Sequence, residues 1–220
     1  TTAGDDLLWA ILRGEAKWSD PDVVLAFDKI RELAELDLFQ PGVNATLDSE
    51  CKILFYTGKG AFYYSGSWFV GDLTEEAPDF KDYYWWHGPK VGKHPARATV
   101  ALGDSFMVSA ASDSKEDAME LVAEFASDQA RIDWVRKGKY PSAAKGITTA
   151  ENGADPITVS FAEAVAAPLG VGVNLNKWMH PEIETVFLNG VQALVAKKMT
   201  GAELCAELDA KVAELSRRNP

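Results

Sequence analysis

A chain of 220 residues, 47% apolar and 25% charged, has the make-up of an ordinary globular protein, long enough for one large domain or two small ones. The net charge of −11 argues against nucleic acid and anionic membrane surfaces as partners, because both call for basic patches that displace counterions. No apolar run nears the roughly 20 residues of a spanning helix. No signal-peptide pattern opens the chain either, and Thr1-Thr2-Ala3-Gly4 reads like the middle of a longer protein.

Helix starts are well marked. Ser19-Asp20-Pro21 supplies a cap and then proline at the first helical position, and Val23, Phe27, Ile30 and Ala34 form one apolar stripe behind it. Phe39-Gln40-Pro41-Gly42 forces the exit. A short helix is expected from about Ser49 to Thr57, ended by Gly58. Four β-prone runs follow: 60–66, 82–87, 97–102 and 106–110. Ser114 to Asp117 then opens a helix with Ala118, Leu121, Val122 and Phe125 inward, and Ala130 to Lys137 is a further helix ended by Gly138. Asp155-Pro156 opens a helix with Ile157, Phe161 and Val165 on one side. Pro181 opens a long one carrying Ile183, Phe187, Val191, Leu194 and Val195. Thr200-Gly201-Ala202-Glu203 is a capping box for the last helix, which buries Leu204, Leu208, Val212 and Leu215. The class is α/β with a helical surplus. The stretches 88–96 and 169–176 are the places for hinge or site loops.

Motifs that carry catalysis are missing or broken. His87, His94 and His180 lack metal-site spacing and no Cys-x-x-Cys occurs, so no metal and no cofactor are expected. Gly103-Asp104-Ser105-Phe106-Met107 begins like a nucleophile elbow, but Met107 stands in place of the second glycine. Gly58-Lys59-Gly60 begins a dinucleotide fingerprint, but Tyr63 replaces its third glycine. Cys205 falls on the apolar face of the last helix and reads as a core residue. Whether it is bonded to Cys51 stays open.

Aromatic residues exceed background: seven tryptophans occur in 220 residues. Trp9, Trp18 and Trp134 lie in or beside helices and read as core. Trp68, after Ser65-Gly66-Ser67, and Trp178, after Asn174-Leu175-Asn176-Lys177, sit beside loop signals. A tryptophan there can offer its flat face to the apolar C–H face of a sugar while neighbouring amides bind hydroxyls.

The segment order resembles that of the extracellular solute-binding proteins of sugar-importing ABC transporters, the maltose-binding-protein-like family. The resemblance runs from Trp18-Ser19-Asp20-Pro21 through Phe55-Tyr56-Thr57-Gly58-Lys59-Gly60-Ala61-Phe62 and Ser65-Gly66-Ser67-Trp68. It continues through 102–109, Ser112 to Ala118, Ser127-Asp128-Gln129, Lys139-Tyr140-Pro141-Ser142 and the final capping box. It implies a type II periplasmic-binding-protein-like fold, with residues 1–220 as the C-terminal half of a two-lobe protein and 97–146 packing in the other lobe. The implied role is capture of a sugar or oligosaccharide in an interlobe cleft, in the periplasm or outside the cell and associated with the outer face of the membrane, for delivery to ABC permease subunits, without catalysis. The implied ligand-binding residues are Trp68, Ser67, Gly103, Asp104 and Trp178, with Tyr64, Tyr140 and Lys177 more weakly indicated. Two other readings compete. A carbohydrate-active enzyme fragment would consume the sugars it meets. A protein-interaction module would form a stoichiometric complex and ignore sugars.

Overall fold

The structure is a computed structural model, and it describes residues 1–99, 106–167, 171–172 and 174–218. The chain divides into two compact units. One comprises Thr1–Glu50, His87–Ala101 and Val171–Pro220; the other comprises Cys51–Trp86 and Leu102–Gly170.

In the first unit α1 (Gly4–Leu12) precedes α2 (Pro21–Glu35), and α8 (Pro181–Val195) and α9 (Gly201–Arg218) close the chain. The expected caps are present. Asp20 accepts the Asp22 N–H at 2.9 Å ahead of Pro21. Thr200 and Glu203 exchange hydrogen bonds at 2.8 and 3.2 Å, satisfying two helix-end donors. Helices α2, α8 and α9 pack on one another around Val23, Phe27, Leu194, Leu204, Cys205 and Leu208. Ile11 of α1, Trp18 and Met179 complete this core. Two close approaches fix its register. A side chain at Gly190 of α8 would run into Leu204 of α9. At the start of α9, Gly201 donates its N–H to Asp28 of α2 at 2.9 Å, while Arg31 donates to the Met199 carbonyl at 2.7 Å. Cys205 is a fully buried thiol.

The second unit holds most of α3 (Asp48–Tyr56), within which the division falls, and α4 (Phe69–Glu76), an element the sequence pattern did not announce. It also holds α5 (Lys115–Phe125), α6 (Asp128–Gly138) and α7 (Pro156–Ala166). Ser127 and Asp155 cap α6 and α7 through N–H bonds of 3.2 and 2.8 Å. The left-handed residue after α6 is Lys139, at φ 60°, so Gly138 is the last helical residue and not the stop. The stripe expected to be buried on α5 is not: Leu121 and Phe125 are exposed, and Phe125 stacks on Phe106 at 4.9 Å.

Strands are where the sequence reading and the structure diverge. Of the run 97–102, β1 (Ala98–Thr99) is a strand, paired in parallel with β2 (Val171–Gly172), and residues 100–102 lie outside the described residues. The runs 60–66 and 82–87 are irregular, as is the described part of 106–110. β-propensity measures fit to a pleated, half-buried surface beside a partner strand, and these runs have no partner ladder among the described residues. Their side chains nevertheless alternate. Tyr63, Tyr83 and Trp85 turn inward, to Phe55, Phe69, Phe80 and Phe161. Phe62, Tyr64, Tyr84 and Trp86 turn outward and are exposed, with Phe62 edge-on to Trp86 at 5.4 Å.

Candidate functional site

Trp68, Ser67, Tyr64 and Tyr140 belong to the second unit, and Lys177 and Trp178 to the first. Gly103 and Asp104 lie outside the described residues.

In the second unit Trp68 is the residue at the mouth of α4, and its carbonyl accepts the Gly71 N–H at 3.0 Å. Its indole, 55% exposed, folds back over Gly66, where an added Cβ would collide with the ring. The Gly-Ser-Trp spacing thus has a local cause: only a residue without a side chain leaves room for the ring. Ser67, between them, is half-buried. One turn along α4, Gly71 leaves a notch for Tyr140, whose ring would meet an added Cβ at 2.9 Å; Gly138 stands equally close on another side of the ring. Burial, with Asp72 and Glu75 nearby, pushes the Tyr140 phenol up, and Tyr140 hydrogen-bonds Asp72. Asp72 also pairs with Lys52 at 3.4 Å, and Lys52 pairs in turn with Glu76. The Lys52 ammonium is held well above its ordinary range, first by the hydrogen bond to Glu76. Tyr140 is therefore fixed by a notch and an ionic brace. Trp134, read from sequence as core, lies exposed beside it at 5.4 Å. Tyr64, at 93% exposure, points away from the unit's interior.

In the first unit a 3-10 turn, Leu175–Lys177, leads to Trp178 and then to α8, whose N-cap His180 accepts the Glu182 N–H through Nδ1 at 3.2 Å. Leu175 packs against the core and Met179 is part of it, so the backbone on both sides of Trp178 is anchored while its ring stays exposed. Trp9, also assigned to the core from sequence, is half-buried and meets Trp178 nearly edge-on, with centroids 5.2 Å apart at 68°. Lys177 is exposed. Trp18 alone of the three helix-associated tryptophans is fully core, at 2% exposure. Helical position had marked all three as core. No local cue separates them: Trp18 is buried by packing between helices, and Trp9 and Trp134 are left open by it.

Among the described residues no helix is long and apolar enough to cross a membrane, and no group of three or more His, Cys, Asp or Glu side chains is arranged to hold a metal ion.

No family model matches the sequence. An uncharacterized ABC transporter extracellular-binding protein of Pyrococcus horikoshii is 27% identical over 136 residues, which is 60% of this chain and 29% of that protein. Two solved structures share the fold. A chitin oligosaccharide binding protein superposes with a TM-score of 0.77 at 21% identity, over 97% of this chain and 54% of its own. A structure from work on xylan utilization by the thermophilic bacterium Caldanaerobius polysaccharolyticus gives 0.78 at 18% identity, over 94% of this chain and 54% of its own. The chain spans about half the length of these structures. The sequence likeness is thus to an ABC transporter extracellular-binding protein, and the fold is one shared with these two solved structures.

Proposed function

We propose that this chain belongs to the substrate-binding component of an ABC transporter and contributes aromatic contacts to a captured sugar or oligosaccharide. The observation that carries the reading is that Trp68 and Trp178 are each more than half exposed and yet each is held in place, one by the space over Gly66, the other by Trp9 and two anchored neighbours. Exposed indoles held in this way suit the C–H face of a pyranose, and less of the binding energy is then lost to ordering the side chain. Trp68, Ser67 and Tyr140 with Trp134 form one candidate group, and Trp178 with Lys177 the other. Tyr64, Gly103 and Asp104 complete the proposed set.

The finer parts of the reading are that the fold is α/β of type II, that residues 1–220 are its C-terminal half, and that 97–146 crosses to the other lobe. The complete protein would work outside the cell or in the periplasm and hand its ligand to ABC permease subunits, making and breaking no bond. The sequence likeness to an extracellular-binding protein and the fold shared with a chitin oligosaccharide binding protein support this.

The test is a calorimetric titration of the chain with chitin oligosaccharides and with xylo-oligosaccharides, with the sugars re-analysed afterwards by chromatography. Saturable binding of one class, weakened roughly tenfold or more by Trp68→Ala or Trp178→Ala, with the sugar recovered intact, is the expected result. Shortened products would replace the reading with the enzyme one, and absence of binding to either class would remove chitin and xylan oligosaccharides as the ligand.

A further inference from the structure

An exposed tryptophan is a poor ligand platform when its ring is free to turn, because each rotamer lost on binding weakens the complex. Trp178 has 57% of its surface open, so its ring needs a contact that fixes it. The contact that does so comes from a distant part of the sequence. Trp9 lies on α1, and its ring stands at 68° to that of Trp178 with 5.2 Å between centroids, the edge-to-face arrangement in which the positive rim of one indole meets the negative face of the other. Both rings are carried by backbone that cannot drift. Ile11, two residues after Trp9, is 4% exposed, and Met179, next to Trp178, is 8% exposed; both belong to one core. Leu7 and Leu12 on α1 and Leu175 before Trp178 pack against that core as well. Trp9 itself is only half-buried, which is unusual for a residue whose sole task is to fill space on a helix that carries Leu7, Ile11 and Leu12 for that purpose.

We propose that Trp9 is the positioning residue for Trp178, holding the exposed indole in the orientation that stacks on a pyranose ring. The inference rests on the sugar-binding reading above and deepens it. Trp9 supports one side of the platform and leaves the remainder of the Trp178 ring to the ligand. Specificity for sugars with an uninterrupted apolar face then depends on a residue that need not touch them.

Two substitutions separate positioning from packing. Trp9→Phe keeps an aromatic edge against Trp178; Trp9→Leu keeps an apolar side chain and removes the ring. Two measurements apply to each in the full chain. The first is the near-ultraviolet circular dichroism of the coupled indole pair, which needs no ligand. Trp9→Leu and Trp178→Phe are expected to remove the same band, and the double variant is expected to remove no more than either alone. The second is titration with chitotriose and xylotriose. For whichever sugar the wild type binds, Trp9→Leu is expected to weaken binding on the order of tenfold, while Trp9→Phe stays within about twofold. Thermal unfolding monitored at the helix band identifies any variant that has lost its fold. Should Trp9→Leu unfold, the comparison of Trp9→Phe with Trp9→Tyr decides the matter, because both must then retain affinity. Equal affinity of wild type and Trp9→Leu, with sugar binding intact, would overturn the positioning role and leave the sugar-binding reading standing. A wild type that binds neither sugar would overturn the reading for these two sugar classes and this role with it, even where the shared band shows that the two rings touch.

Discussion

The ring of Trp68 occupies the space directly over the Cα of Gly66 that any other residue's Cβ would claim. Gly66 has no positive φ, so its need for glycine comes from this contact and not from its backbone conformation. Gly66→Ala is therefore expected to displace the indole while leaving the helices intact. The check is a shift in tryptophan emission and, on the proposed sugar-binding role, a loss of sugar affinity of about tenfold, with the unfolding midpoint changed by less than about 1 kcal/mol-equivalent. A variant with native emission and native affinity would show that the ring does not depend on the glycine.

Gly190 and Leu204 repeat that relationship inside the core. An added Cβ on α8 would overlap the Leu204 side chain, which has no exposed surface on which to retreat. Overpacking of this kind costs about 1–3 kcal/mol. Gly190→Ala should lower stability by that amount in urea unfolding, and Gly190→Ala combined with Leu204→Ala should cost less than the sum of the two single changes. Strict additivity would mean that the two residues do not meet.

Most helix starts and core stripes were legible in the sequence because their causes are local; the exception is α5, where Ser114 makes no capping bond through its side chain and Leu121 and Phe125 are exposed. Asp20, Asp155 and Thr200 with Glu203 cap where their patterns indicate, and Val23, Phe27, Leu204 and Leu208 are buried where their spacing puts them. The strands were not legible in the same way. The alternation of Tyr63, Tyr83 and Trp85 against Phe62, Tyr64, Tyr84 and Trp86 is real in the structure, but a strand also needs a neighbour at ladder distance, which local alternation cannot supply. The site divides along the same line. Trp68 and Trp178 stood out through adjacent glycine and loop signals. Trp9 and Trp134 did not, since their exposure and their partners Trp178 and Tyr140 are set by contacts between elements.

Asp209 of α9 accepts the backbone N–H of Trp18 at 2.8 Å and that of Ser19 at 3.1 Å, fixing the entry to α2 from the far end of the chain. Removing the carboxylate leaves the N–H of a residue that is 2% exposed without its acceptor. Asp209→Ala should cost about 1–3 kcal/mol, and Asp209→Asn, which keeps one oxygen acceptor, distinctly less. Protection of the Trp18 amide in hydrogen exchange checks the assignment, since it should fall in the alanine variant ahead of amides in α8.

Cys205 links the core to pH. Burial, with Asp209 and Asp28 nearby, pushes its thiol up from an ordinary value of 9.0 to about 12. The unfolded chain therefore ionises this group first. The stability that depends on keeping the thiol neutral is complete below about pH 9 and is lost as pH rises from 9 toward 12. Cys205→Ala removes the titration and leaves a small cavity, so it should be less stable than wild type at pH 7 and the gap should narrow steadily between pH 9 and 10.5. Urea unfolding of both proteins across that range measures the difference directly, and groups common to both cancel. In a Cys51→Ser background the remaining thiol should react with a disulfide reagent at pH 8 no faster than the core opens, a rate that urea accelerates. Immediate reaction, or a stability gap independent of pH, would mean that the Cys205 sulfur reaches water in the native state.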